Sequence, residues 1–227
     1  MEIWFARHAQ PAWEKDGAAV LDPVLTELGA RQADSLADRI SKLKRVPTRL
    51  WRSTTRRAEA TARPIEAKLG IKAEVFDWLD EVRLPPHWEG RPAETLSKHF
   101  YEAKTRSVTD WWRGIADGES FDDFHRRVTI QLERKLADGG MTPRPTSIAP
   151  LWDGIDKKEV LLIVGHAGTN SVALGHLLGL RPVPWQWERM GLKHASLSRL
   201  RAVPIADGFI FGLSEHSDVA HLPEDDR

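Results

Sequence analysis

Two apolar runs in this chain end on a histidine, and chemistry is expected there. Residues 3–6 lead into Arg7-His8, and residues 160–164 lead into Gly165-His166. Arg57 heads an alanine-rich stretch behind a third apolar segment, and Glu81 lies in an irregular stretch behind a fourth. Taken singly these are weak signals, because an Arg-His pair is usually surface and a histidine after a strand usually has a structural hydrogen-bond partner. Taken together they supply what phosphoryl transfer needs: a nucleophile, cationic clamps for the equatorial oxygens and a proton donor for the leaving oxygen.

Bringing these residues to one place requires strands whose ends converge. Residues 3–6, 49–53, 73–76 and 160–164 read as strands, the last apolar enough to be central in a parallel sheet. Thr26 is placed to cap a helix carrying Leu28, Gln32, Leu36 and Ile40 at helical spacing. A second helix over 54–69 shows Ala58, Ala62, Ile65 and Leu69 on one face before Gly70, and Pro64 predicts a kink or an early end. Residues 77–91, with Pro85-Pro86, read as a loop of the kind that carries function. A helical pattern from 93 to about 137 breaks at Asp117-Gly118, where Ser120 can cap a helix containing Phe124, Val128, Leu132 and Leu136. Residues 168–178 read as a helix, and 198–203 and 209–213 as late strands joined at Asp207-Gly208 before a polar tail. The alternation implies an α/β fold, a three-layer sandwich with a mostly parallel sheet and helices on both faces, binding its ligand at the carboxyl ends of strands. The expected organisation is one domain over 1–227, with the proline-containing stretch 141–158 as a surface insertion.

Composition narrows the function classes. Lysine plus arginine balances aspartate plus glutamate at 33 each, so no global field recruits nucleic acid or an acidic membrane surface. The absence of cysteine removes disulfides, thiolate metal sites and a thiol nucleophile, and no His-Glu-x-x-His or aspartate-rich loop announces a metal. No cofactor is expected. No leader-like segment and no run of 18 apolar residues is present, which reads most simply as a cytoplasmic protein without membrane association. Among the ten tryptophans, Trp88, Trp111, Trp112, Trp185 and Trp187 fall in helices or loops where they could line a cleft, although large aromatics more often fill gaps between elements.

Several segments resemble the histidine phosphatase superfamily, of the phosphoglycerate-mutase-like type. Arg7-His8-Ala9 is similar to the family's Arg-His-Gly after the first strand, and residues 22–29, Asp-Pro-Val-Leu-Thr-Glu-Leu-Gly, to its Pro-Leu-Thr-x-x-Gly. Residues 53–62 resemble Ser-Pro-Leu-x-Arg-Ala-x-x-Thr-Ala; the alignment of Ala58, Thr61 and Ala62 assigns the second clamp to Arg57 rather than Arg56. Leu79-Asp80-Glu81 with Trp88-Glu89-Gly90 resembles Leu-x-Glu…Trp-Glu-Gly, and Gly118-Glu119-Ser120-Phe121, residues 164–168 and residues 217–222 match later signatures.

The resemblance implies a metal-independent phosphomonoesterase acting on a small organic phosphate. His8 would attack phosphorus as a neutral imidazole, one ring nitrogen held by a backbone carbonyl, to form a phosphohistidine. Arg7 and Arg57 would hold the phosphoryl oxygens, His166 adding a third donor if protonated. Glu81 would protonate the leaving oxygen and then activate water, with Asp80 and Glu89 as competing acids. Three departures stand out: Ala9 replaces glycine, Thr54 replaces proline, and Glu14 occupies the place where some members carry an asparagine phosphate ligand. A carboxylate there repels phosphate, so residues 10–14 are expected to meet the leaving group and the balance leans to hydrolysis. The alternatives are a phosphoglycerate-mutase-type phosphotransferase and a phosphate-ligand-binding protein without turnover.

Overall fold

The computed structural model describes residues 1–94, 98, 101, 102 and 104–227. Its strands are β1 (Glu2–Arg7), β2 (Glu14–Lys15), β3 (Ala18–Ala19), β4 (Arg49–Arg52), β5 (Ala73–Val75), β6 (Thr142–Arg144), β7 (Leu151–Asp153), β8 (Val160–Gly165), β9 (Leu197–Ile205) and β10 (Gly208–Asp218). The helices are α1 (Glu27–Lys42), α2 (Arg56–Leu69), α3 (Val108–Arg113), α4 (Phe121–Asp138), α5 (Ala167–Leu177) and α6 (Gln186–Arg189). The main sheet runs in the order β5-β4-β8-β1-β9-β10-β7-β6. Part of the helical pattern expected from residue 93 onward lies outside the described residues.

The sheet is mixed, which corrects the expectation of a mostly parallel one. From β5 through β4 and β8 to β1 every pairing is parallel, whereas from β1 through β9, β10 and β7 to β6 every pairing is antiparallel. The physical reason is the length of the connections. The turn at Ala206-Asp207 is too short for a crossover, so β9 and β10 form a hairpin, as do β6 and β7. Residues 141–158, expected as a surface insertion, therefore extend the sheet by two edge strands and bury Trp152.

Period-two alternation along the central strands builds two cores. Ile3, Phe5, Leu161 and Ile163 face one side, packed with Phe124, Val128 and Leu132 of α4 and Val172 and Leu174 of α5. Trp4, Ala6, Leu162 and Val164 face the other, against Leu36 and Ile40 of α1 and Ala58, Ala62 and Ile65 of α2. Thr26 caps α1 by accepting from the Gly29 N–H, and Ser120 caps α4 through the Asp123 N–H. Gly29 is required for close approach: a Cβ there would lie 2.1 Å from the Gln10 carbonyl oxygen. Helix α2 runs through Pro64 to Leu69 without the early end expected, its buried face holding it to α1 and the sheet. Arg39 of α1 pairs with Glu215 and Asp218, which ties the 217–222 segment to the same layer.

Candidate active site

Parallel register brings the chemistry-bearing residues together. β1 and β8 pair with Arg7 opposite Gly165, and the His8 N–H donates to the Gly165 carbonyl at 2.9 Å, so His8 and His166 leave adjacent strands side by side. Their ring centroids are 5.1 Å apart. β4 ends on the other flank of β8, where the Ser53 N–H reaches the Val164 carbonyl and the chain turns into α2, bringing in Arg57. Arg57 is buried and Arg56 exposed.

The imidazole of His8 is 2% exposed and its Nδ1 lies 2.9 Å from the Ala9 carbonyl oxygen. A carbonyl only accepts, so Nδ1 carries the proton and Nε2 keeps its lone pair. Burial, then the cations Arg57 and Arg7, pushes the ring well below the ordinary histidine range and keeps it neutral, with the Ala9 bond opposing the shift. Ala9 has no positive φ and is itself buried, its N–H donating to Thr61 Oγ1 at 3.0 Å, so the extra methyl group is accommodated.

The two guanidiniums are held from behind. Arg7 Nη1 donates to the Leu192 carbonyl at 2.6 Å, while Arg57 Nη1 is 3.4 Å from Asp22 Oδ1 and its guanidinium lies 4.9 Å from the Trp13 ring centroid. Burial lowers both below the usual arginine value and the Glu81 carboxylate opposes this in each, which places Glu81 in the same electrostatic neighbourhood. The Nε of each arginine is buried without a protein partner.

The three candidate acids have different surroundings. Glu81 accepts from the Val82 N–H at 3.0 Å and the Gly168 N–H at 2.9 Å, at the start of α5. Arg127 of α4 braces this turn through the carbonyls of Trp78, Asp80 and Glu81, and is itself held by Glu119, which explains the Gly118-Glu119 signature. Asp80 is committed to the Ser53 and Thr54 hydroxyls and the Thr54 N–H. Glu89 accepts the Leu21 N–H at 2.8 Å and so positions the 21–22 loop that receives Arg57.

His166 is fully buried with Nε2 2.9 Å from Ser53 Oγ and Nδ1 without a partner. Burial, then Arg57, His8 and Arg7, pushes it well below the ordinary range, so it is neutral in the unliganded protein rather than the standing cation a third clamp would be. Two neighbours of His8 were not singled out from the sequence. His194 sits with its ring centroid 5.5 Å from His8, with a buried unpartnered Nε2 and a pKa lowered to about 4 by burial and by Arg7. Trp13 is 6.4 Å from His8 and 43% exposed, so an indole forms part of the rim. Its neighbour Glu14 points outward on β2, exposed. Neither had a local signal: His194 is a lone loop histidine that β9 pairing brings in, and Trp13 lies in a segment without period. Among the described residues no three His, Cys, Asp or Glu side chains converge as a metal site.

Residues 3–143 match the profile of the histidine phosphatase superfamily (branch 1). The chain belongs to the histidine phosphatase superfamily. A curated relative, "Probable phosphoglycerate mutase GpmB" of Yersinia pestis (strain Pestoides F), is 26% identical over 230 residues, covering 98% of this chain and 95% of the relative. The mycobacterial glucosyl-3-phosphoglycerate phosphatase in complex with inorganic phosphate superposes with a TM-score of 0.70 at 24% identity, covering 98% of this chain and 99% of its own. The α-ribazole phosphatase of Shigella flexneri gives 0.69 at 20% identity over 97% and 98%. At these identities the superpositions speak for the fold. No helix among the described residues is long and apolar enough to cross a membrane.

The histidines of this superfamily member whose values are lowered carry a consequence for stability. His8, His166, His194, His125 and His221 all have folded-state values below the unfolded value, with burial the largest cause in each. Below about pH 6.5 the unfolded chain binds more protons at these sites than the folded one, so stability is full above that pH and is lost as pH falls, by up to about 1.4 kcal/mol per pH unit for each of the buried His8 and His166 and by less for the three partly exposed rings. Urea unfolding between pH 8 and 5 is expected to show a flat midpoint above 6.5 and a steady decline below it. A midpoint constant down to pH 5 would contradict the neutral, buried assignment.

Proposed function

We propose that this protein is a metal-independent phosphomonoesterase that hydrolyses a small organic phosphate through a phosphohistidine on His8, the whole chain serving as one domain. The observation that carries this is the bare Nε2 of a neutral, buried His8 beside the buried guanidinium of Arg57 and the partly buried one of Arg7, each with an Nε that has no protein partner. Nε2 attacks phosphorus and the bond to the ester oxygen breaks, with Arg7, Arg57 and His166 holding the phosphoryl oxygens as charge spreads onto them. Glu81 gives a proton to the departing alcohol. It then takes a proton from the water that attacks the phosphohistidine, and phosphate leaves with His8 restored. The Trp13 indole and the exposed Glu14 at the rim favour an uncharged or aromatic leaving group over a second phosphate.

A second reading has support from the curated relative named as a phosphoglycerate mutase, which would return the phosphoryl group to the product. Product analysis separates the two. Incubation with phosphoglycerates, glucosyl-3-phosphoglycerate, α-ribazole phosphate and simple alkyl and aryl phosphates, with EDTA present, is expected to release free phosphate from at least one ester. Formation of an isomerised ester without free phosphate would favour the mutase, activity lost on chelation would count against a metal-independent site, and tight phosphate binding with no turnover of any ester would favour a binding protein.

A further inference from the structure

Asp80 is not in contact with His8, yet its hydrogen bonds run to the ring that stands beside it. Ser53, at the end of β4 and fully buried, has its Oγ 2.6 Å from Asp80 Oδ1 and 2.9 Å from His166 Nε2. A hydroxyl has one proton and a carboxylate only accepts, so the Ser53 proton goes to Asp80 and Ser53 Oγ accepts from Nε2–H. His166 is thereby fixed as the tautomer with Nε2 protonated, leaving Nδ1 buried with a free lone pair. Asp80 is itself locked by the Thr54 N–H at 2.9 Å and the Thr54 hydroxyl at 2.7 and 2.8 Å, and its backbone carbonyl takes bonds from Thr169 and Arg127. At Thr54 the similar family motif carries proline, which has neither the N–H nor the hydroxyl that Asp80 uses here.

We propose that Asp80 is the positioning residue of His166: acting through Ser53, it sets the ring's tautomer and stabilises the imidazolium that forms when a phosphoryl group meets Nδ1. The inference rests on the reading that His166 faces the phosphoryl group. A phosphate monoester arrives as its monoanion with one P–O–H, and inorganic phosphate as its monoanion with two; one such O–H bond breaks as Nδ1–H forms, leaving a bound dianion against a singly charged imidazolium, with Nε2–H still on Ser53. The groups around His166 set the balance. His8 and Arg7 at the end of β1, Arg57 of α2 and Arg127 of α4 oppose a charge on the ring. On the other side stand Asp80, linked through Ser53, and Glu81, bonded to the Gly168 N–H two residues on. Asp80 is thus the countercharge that hydrogen bonds connect to the ring, and such linked networks act more strongly than isolated charges.

The test compares the full-length wild type with Asp80→Asn, whose amide oxygen keeps the Ser53 and Thr54 donors while the charge is lost. With saturating inorganic phosphate, the ring nitrogens of His166 are followed by heteronuclear NMR from pH 5 to 9, and kcat/KM for 4-nitrophenyl phosphate is measured over the same range. The variant is expected to release the His166 proton about one pH unit lower, with kcat/KM down about tenfold on the alkaline side and converging with wild type on the acid side. Ser53→Ala should move the titration the same way. An unchanged His166 titration overturns the proposal, including where activity falls equally at every pH, because that is the mark of a structural role. Failure of the underlying reading would show separately, as a wild-type His166 titration that saturating inorganic phosphate leaves where it is in the free protein, and the NMR titration does not depend on turnover.

Discussion

Replacing His8 with alanine is expected to remove phosphate release to below the limit of assay, a fall of at least roughly 10⁴-fold in kcat, the scale on which removal of a nucleophile registers in enzymes that act by covalent catalysis. Two of the groups near the two arginines are otherwise engaged. His166 commits Nε2 to Ser53 and on the proposed mechanism its Nδ1 meets the phosphoryl oxygens, while Asp80 spends its carboxylate on Ser53 and Thr54. The fold should tolerate the change, because the backbone bond of His8 to Gly165 is unaffected and its side chain makes one hydrogen bond, to the neighbouring Ala9 carbonyl. Rapid-quench labelling adds a second readout. Wild type mixed with ³²P-labelled substrate should yield an acid-labile, base-stable phosphoprotein, and His8→Ala none. Turnover within tenfold of wild type in a variant that still unfolds cooperatively would refute the phosphohistidine route.

The parallel half of the sheet was legible because its strands are continuous apolar runs whose ends are marked by polar residues: Ala6 before Arg7-His8, and Val164 before Gly165-His166. Once β1, β8 and β4 lie side by side, the convergence of His8, His166 and Arg57 follows from register alone. The antiparallel half was not legible to the same degree. β6 is Thr-Pro-Arg and β7 Leu-Trp-Asp, three residues each, too short to show period two, and their place comes from the pairing of β7 with β10 and of β6 with β7 rather than from their own propensity. The same holds for side chains brought in by distant pairings. His194 enters because Ala195 bonds back to the His8 carbonyl and β9 follows β1, and the Ser53–Asp80 contact joins residues 27 apart through a loop without pattern. The tryptophans divided by location: Trp88 is buried and Trp112 packs on Phe121, whereas Trp111 and Trp185 meet at a right angle around a cavity of about 400 Å³ that Lys104, Arg106 and Glu188 also line. Nothing in their local sequence separates the two groups.

Glu81→Gln should show a loss that depends on the leaving group. An alkyl phosphate expels a poor leaving alkoxide and needs the proton in the transition state, so kcat/KM is expected to fall about 10²- to 10⁴-fold. With 4-nitrophenyl phosphate the departing phenolate is stable unprotonated, and the loss should be many times smaller, limited to the slower activation of water. The geometry supports this role because a carboxyl group has about four acceptor positions and the amides of Val82 and Gly168 use one on each oxygen, leaving a position free to carry the proton that is donated to the ester oxygen. Before it takes up the proton it donates, Glu81 is the carboxylate that opposes the burial of Arg7 and Arg57, so with that carboxylate removed inorganic phosphate should bind the variant more tightly while turnover slows. That combination distinguishes the loss of an acid from the loss of a phosphate clamp, which would weaken both. Gly168→Ala offers an independent route to the same site, since its Cβ would lie 2.3 Å from Glu81 Oε1 and must displace the carboxyl group. Its kinetic loss should follow the same leaving-group order. Equal losses for alkyl and aryl esters in both variants would remove the acid role from Glu81.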